Sequence, residues 1–156
     1  MFRGATDSDI EIVTNGLKLY LDAAQLRSYP TTGVTWTDVS GNTNNGTLNN
    51  FGTPYSSTGG GSINFDGTND YVNCGNASSL DITGNTLTLS AWVRADIITS
   101  YRTIIHKDSQ YSLTFYDDAG TKKISYADSS NFSYTNFGYF GSFPVNNWYN
   151  IVVPRG

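Results

Sequence analysis

The chain is poor in most of the residues that do chemistry. It has one cysteine and one histidine, and its only glutamate is Glu11. A single cysteine excludes an internal disulfide. Cys74 reads instead as a small buried hydrophobe in a strand over Asp70–Cys74. A lone histidine falls short of what a zinc hydrolase normally needs. His106 alternates with Ile104, which predicts half-burial and a structural role. Retaining glycosidases use a carboxylate pair ~5 Å apart, and Glu11 lies outside any strand that could line a cleft. Asp117 and Asp118 fall on a predicted turn, where neighbours point apart. No G-x-S-x-G elbow is present. The run Gly59–Gly61 lacks the Lys-Ser/Thr that completes a phosphate loop. The expectation is a protein that is not an enzyme.

Charge is scarce as well. Only 14% of residues are charged, against the usual ~25%. Net charge is −4, and no basic run is longer than Lys122–Lys123, so a phosphate backbone finds little to hold it. Nucleic acid is excluded as an expected partner. No apolar run approaches the ~20 residues of a membrane span, so membrane insertion is not expected. The N-terminal stretch MFRGATDSDIEIV lacks an apolar signal-peptide core. A chain of this kind stays in the cytoplasm or leaves the cell by another route, as inside a virus particle released by lysis. Helix signals are nearly absent. The best is DAAQLRS, Asp22–Ser28, at most two turns long and closed by Pro30.

What is abundant is aromatic and turn-forming. Aromatics reach 14%, which argues against disorder. Length permits one domain with a real core. Strand patterns recur at Leu17–Leu21, Ser62–Phe65, Asp70–Cys74, Leu87–Ala95, Arg102–Lys107, Tyr111–Tyr116, Lys122–Ala127 and Trp148–Val153. In Leu87–Ala95 the apolar set Leu87, Leu89, Ala91, Val93 alternates with Thr88, Ser90, Trp92, Arg94. Asp117–Thr121 reads as a hairpin turn. The Gly-rich stretch Ser56–Ser62 reads as a loop inside the domain. Many short strands with Gly and Asn turns point to a sandwich or barrel.

Two loops carry most of the Asn and Asp. In WTDVSGNTNNG, Trp36–Gly46, the first reading is structural. Gly41 and Gly46 permit positive φ, Asn42, Asn44 and Asn45 tolerate it, and Trp36 anchors the loop. In FDGTNDYV, Phe65–Val72, the first reading is a hairpin through Asp66-Gly67. The alternative for both is an oxygen cage. Ca²⁺ takes six to eight oxygens at ~2.4 Å, and Asp38, Asn42 and Asn45 offer them, with Asp22, Asp66 and Asp70 as further ligands if the loops meet. The segment Asn131–Pro144 is the densest in aromatics. Its first reading is core filling and subunit contact. The alternative is a stacking platform for a sugar ring made by Tyr101, Tyr134 and Tyr139.

The order GLKLYLDA, WTDVSGNTNNGTL, GGSINFDGTNDYV, LTLSAWVRA, TIIHKDSQYSL and WYNIVV resembles the laminin G-like, concanavalin A-like lectin/glucanase jelly-roll domains. It is most similar to those carried by tailed-phage virion proteins and bacterial surface proteins. The resemblance implies an all-β fold, an antiparallel β-sandwich of two sheets with six or seven strands each. It would occupy residues 13–156, after an N-terminal extension over residues 1–12. Relatives often hold a structural Ca²⁺ near such loops. They also continue past the strand like WYNIVV, so a C-terminally incomplete sandwich is expected. Truncation is the first explanation, a partner chain or second copy completing the sheet the second, a shortened domain the third. The function implied is a non-catalytic carbohydrate-binding or adhesion module of a phage virion, on tail fibre, tail tip or capsid surface. The alternatives are a structural decoration or spike protein that packs against other virion proteins, and a glycan-binding domain on the bacterial cell surface.

Overall fold

In the computed structural model, residues 12–128, 131–135 and 143–155 are described, with 131–135 as backbone alone. The described residues contain no α-helix. Their strands are β1 (Thr35–Trp36), β2 (Gly46–Asn49), β3 (Tyr55–Ser56), β4 (Ser62–Ile63), β5 (Tyr71–Asn73), β6 (Leu87–Arg94), β7 (Arg102–Lys107), β8 (Tyr111–Asp118), β9 (Thr121–Asp128), β10 (Asn131–Thr135) and β11 (Trp148–Arg155). Every pairing is antiparallel. The chain divides into two compact units, Met1–Leu80 and Asp81–Gly156.

The second unit is built by clean alternation. β6 and β11 pair along their whole length, from Trp148 opposite Arg94 to Arg155 opposite Leu87. β10, β9, β8 and β7 form a four-stranded sheet in that order. The inner faces of the two sheets share one core: Leu89 and Ile151 from one, Leu113, Phe115, Ile124 and Tyr126 from the other, with Ile98 and Phe143 added from loops. Each such side chain contributes ~1.5–3 kcal/mol when fully buried. Phe143 stands edge-on to Phe115 at 6.0 Å and to Tyr149 at 5.0 Å, so this member of the aromatic-rich segment fills the core. β8 and β9 are joined by the two-residue turn Ala119-Gly120, with φ of 49° and 92°. Positive φ at both positions is the type I′ geometry that matches strand twist. A register shift between Thr103 and Ile105 interrupts the β7–β8 ladder. It turns His106 outward, so His106 is exposed rather than half-buried.

The first unit departs further from the expectations. Its ladders are short: β1-β2-β5 in one sheet and β3-β4 in another. Leu17–Leu21 is not a strand. Its main chain bonds to loop groups instead of to a neighbouring strand. Tyr20 N donates to Asp38 Oδ1 and Tyr20 O accepts from Val39 N. Leu17 O and Lys18 O accept from the Asn42 and Asn44 side-chain amides. Asp22–Ser28 forms turns, not a helix. Asp22 Oδ1 caps Ala24 N, and Ser28 Oγ accepts from Asp22 N while donating to Thr37 O.

FDGTNDYV is not a hairpin. β4 pairs with β3, and β5 pairs with β2, so the strands flanking the turn do not meet. The turn is held by Asp66 Oδ1, which accepts from Thr68 N and Asn69 N, and by Asp70 Oδ2, which accepts from Asp66 N. The Gly-rich stretch is a loop within this unit. A Cβ on Gly61 would lie 2.7 Å from Ala24 Cα and 2.8 Å from Ala23 O, so only glycine admits that approach.

Candidate functional site

Asp38 is the most heavily bonded side chain of the first loop. Its Oδ1 accepts from Tyr20 N and Ser40 N, both at 2.9 Å. Its Oδ2 accepts from Ser40 Oγ and Asn44 N, also at 2.9 Å. Four donors take all four lone-pair directions of the carboxylate. Burial alone would raise its pKa. The donors from Tyr20, Ser40 and Asn44 outweigh burial and hold it below the usual 3.8. Asn45 Oδ1 accepts from Asp38 N. Asn42 turns its nitrogen to Leu17 O and Ser40 Oγ. Positive φ falls on Gly41 and Thr43 rather than on the asparagines. Gly46 serves by close approach: a Cβ there would meet Val72 Cγ1 at 2.6 Å.

The six proposed calcium ligands therefore do not gather into one cage. Asp38, Asn42 and Asn45 hold one loop together. Asp66 and Asp70 close a different turn. Asp22 is taken up by Ala24 N, the Tyr20 hydroxyl and Gln25 Nε2. Among the described residues, no three His, Cys, Asp or Glu side chains form a group that could hold a metal ion. These donor sets already supply the N–H groups that would compete with a cation.

Of the proposed sugar platform, Tyr139 lies outside the described residues, and Tyr134 is described only as backbone of β10. Tyr101 precedes β7 and is 61% exposed. Its ring lies on that of Tyr116 with centroids 5.7 Å apart and planes 11° from parallel. Tyr116 belongs to the outer face of the four-stranded sheet. Lys123 Nζ sits 6.0 Å from the Tyr116 ring centroid, and it pairs with Asp118. The stack thus gives Tyr101 a fixed plane.

Trp92 was not singled out as a site by the sequence, although the alternation in β6 already put it on the polar face. It is 69% exposed, the outer-face neighbour of Ser90 and Arg94, directly opposite Asn150. Val152, half-exposed, lies diagonally across from it.

The acidic pair expected to point apart does so. Asp117 bonds Lys122 Nζ at 2.6 Å, and Asp118 pairs with Lys123. The Lys122 hydrogen bond is the main cause holding the Asp117 carboxyl low. Cys74 is half-buried just after β5. Burial first, and the Asp38 charge second, push its thiol pKa up, which keeps it protonated and poorly nucleophilic.

A laminin G family model, described as the concanavalin A-like lectin/glucanases superfamily, matches residues 66–155. That is more than half of the 156 residues, and the chain belongs to this superfamily. The match takes in DGTNDYV, LTLSAWVRA, TIIHKDSQYSL and WYNIVV, while GLKLYLDA and WTDVSGNTNNGTL precede it. No curated protein and no solved structure matches the chain.

Proposed function

We propose that the protein is a non-catalytic carbohydrate-binding module that serves adhesion on a phage particle. Family membership supports the carbohydrate part, because the superfamily is named for its lectins and glucanases. The observation that carries the reading is the Tyr101–Tyr116 stack. An exposed ring held parallel to a second ring offers a sugar a flat apolar face at little entropic cost. Catalysis is set aside because the acidic pair Asp117 and Asp118 is spent on separate lysines. The virion setting draws its support from the resemblance of the motifs to tailed-phage proteins and from the low charge. A glycan array with the full chain tests the reading. Tyr101→Ala is expected to weaken a sugar bound at the stack tenfold or more, and EDTA to leave binding intact. Equal binding by the variant refutes the role of Tyr101.

One observation favours a structural role instead. Trp92 and Val152 form an apolar patch on an open sheet face, which suits packing against a neighbouring virion protein. A blank array, together with loss of particle assembly in Trp92→Ser, favours that reading.

A further inference from the structure

The outer face of the β1-β2-β5 sheet carries no charged side chain. Register places Thr35, Thr47 and Asn73 in one row, and Asn49 opposite Tyr71 in the next. Thr35, Thr47, Tyr71 and Asn73 are exposed and Asn49 half-exposed, while Leu48 and Val72 between them turn to the other side. Thr35, Thr47, Asn49, Tyr71 and Asn73 are all neutral. Asp70, just before β5, has a buried Oδ1.

The two amides are held in fixed orientations. Asn49 Nδ2 donates to Thr47 O at 2.8 Å, which leaves its carboxamide oxygen to accept. Asn73 Oδ1 accepts from Gly75 N at 2.8 Å, which leaves its nitrogen to donate. Tyr71 is 51% exposed and stands beside them on the paired strand. Strands ~4.8 Å apart and same-face residues ~6.8 Å apart make this patch roughly 10 Å by 7 Å. An oriented acceptor, an oriented donor, two hydroxyls and one ring on paired strands form a preorganised polar site.

From this placement we infer that the β1-β2-β5 face binds a neutral saccharide, with Tyr71 as the stacking ring and Asn49 and Asn73 as the paired acceptor and donor. The inference rests on the carbohydrate-binding reading and adds to it a second face and a ligand class. Charge complementarity selects the ligand. An acidic polysaccharide or a nucleic acid finds no cation here, whereas neutral hydroxyls find partners of both kinds. Tyr and Asn suit such a contact because the ring has only two torsions to freeze and the amide both donates and accepts.

The test is an amide NMR titration of the full chain with neutral hexasaccharides of glucose, mannose and N-acetylglucosamine, and with hexagalacturonate as the acidic control. At least one neutral sugar is expected to move the Thr47, Asn49, Tyr71 and Asn73 amides. Tyr71→Ala and Asn73→Ala should each weaken that binding tenfold or more, with Tyr71→Phe within twofold of wild type. Unchanged Leu48 and Val72 amides in the variants show that the sheet remains folded. Should Tyr71→Ala unfold the sheet, Asn73→Ala and Tyr71→Phe carry the comparison. Sugar-induced shifts confined to Tyr101 and Tyr116 overturn this face and leave the carbohydrate reading standing. No shift with any sugar overturns both. Equal affinity for hexagalacturonate overturns the neutral ligand class.

Discussion

Replacing Asp38 by alanine strands three main-chain N–H groups and one hydroxyl at once, those of Tyr20, Ser40 and Asn44. A hydrogen bond to a charged acceptor contributes ~1.5–3 kcal/mol, and a buried donor left unpaired costs ~1–3 kcal/mol. The four effects do not add, because water enters the space where Ser40 and Tyr20 reach the surface. The bond from Asn44 N is fully buried and has no such relief. A total loss of about 3–5 kcal/mol is expected, a large share of the ~5–15 kcal/mol that holds a domain together. Asp38→Asn keeps one oxygen and turns an NH₂ toward two former donors, so about 2–3 kcal/mol should go. Urea unfolding measures the loss, and hydrogen exchange localises it. The Tyr20, Ser40 and Asn44 amides should lose protection in the variants before those of Leu113 and Ile124 do. The pH dependence has a definite sign. The folded carboxyl titrates below the usual 3.8, so the unfolded chain takes up the proton first as pH falls. The stabilisation is whole above 3.8, drains away as pH drops through the lower folded value, and is missing from Asp38→Asn. A loss under about 1 kcal/mol in Asp38→Ala, with protection unchanged at the three amides, would refute the account of this loop.

Calcium should leave thermal stability unchanged if hydrogen bonds alone satisfy the Asp38 loop. A bound ion at a hundred times its Kd adds about 2.7 kcal/mol, so a melting-temperature rise of several degrees overturns that expectation. Gly61→Ala should cost roughly 2–4 kcal/mol in chemical denaturation, because its methyl would overlap the Ala23–Ala24 backbone and φ there is 139°. Ala119→Asn should raise stability by about 0.5–1 kcal/mol by placing a residue tolerant of φ 49° in the β8–β9 turn. The Tyr126 phenol, raised to about 12 mainly by burial and then by its bond to Asp128, should stay neutral in a pH-difference absorbance titration until well past 10. Its contribution is present below the unfolded pKa of ~10 and lost as pH climbs toward 12.

The second unit was legible because its strands are long and each alternates about a buried face. β7 was read with both its ends, and β6, β8, β9 and β11 were read to within two residues at each end. The hairpin was readable from Asp and Gly, but its turn is the narrower Ala119-Gly120, with Asp117 and Asp118 inside β8 and Thr121 opening β9. What periodicity could not show is the register shift between Thr103 and Ile105. A bulge breaks the period of two, and everything beyond it changes side, which is why His106 was assigned to the wrong environment. In the first unit the same rule failed for a different reason. Leu17–Leu21 has a strand's alternation, yet its amide and carbonyls are claimed by the carboxylate and carboxamides of Asp38, Asn42 and Asn44. Side chains that mimic a strand's hydrogen bonds leave the hydrophobic pattern intact while removing the ladder.

The same chemistry explains why the proposed ligands were harder to place than the fold. Asp and Asn in a glycine-rich loop offer the oxygens a cation wants and the acceptors a tight turn wants, and composition does not separate the two. Geometry does: each oxygen of Asp38 already meets two donors. For the aromatics the problem is reversed. A tyrosine is equally at home in a core, a stack or a solvated face, and only neighbours decide among them. Tyr126 is buried, Tyr116 is buried under Tyr101, and Tyr71 stands in the open. The neutrality of the face around Tyr71 was written in the sequence all along as TW, GTLN and YVN. It became visible only when pairing set Thr35, Thr47 and Asn73 in one row and Asn49 against Tyr71. A binding face assembled from three short strands far apart in the chain has no local pattern to read.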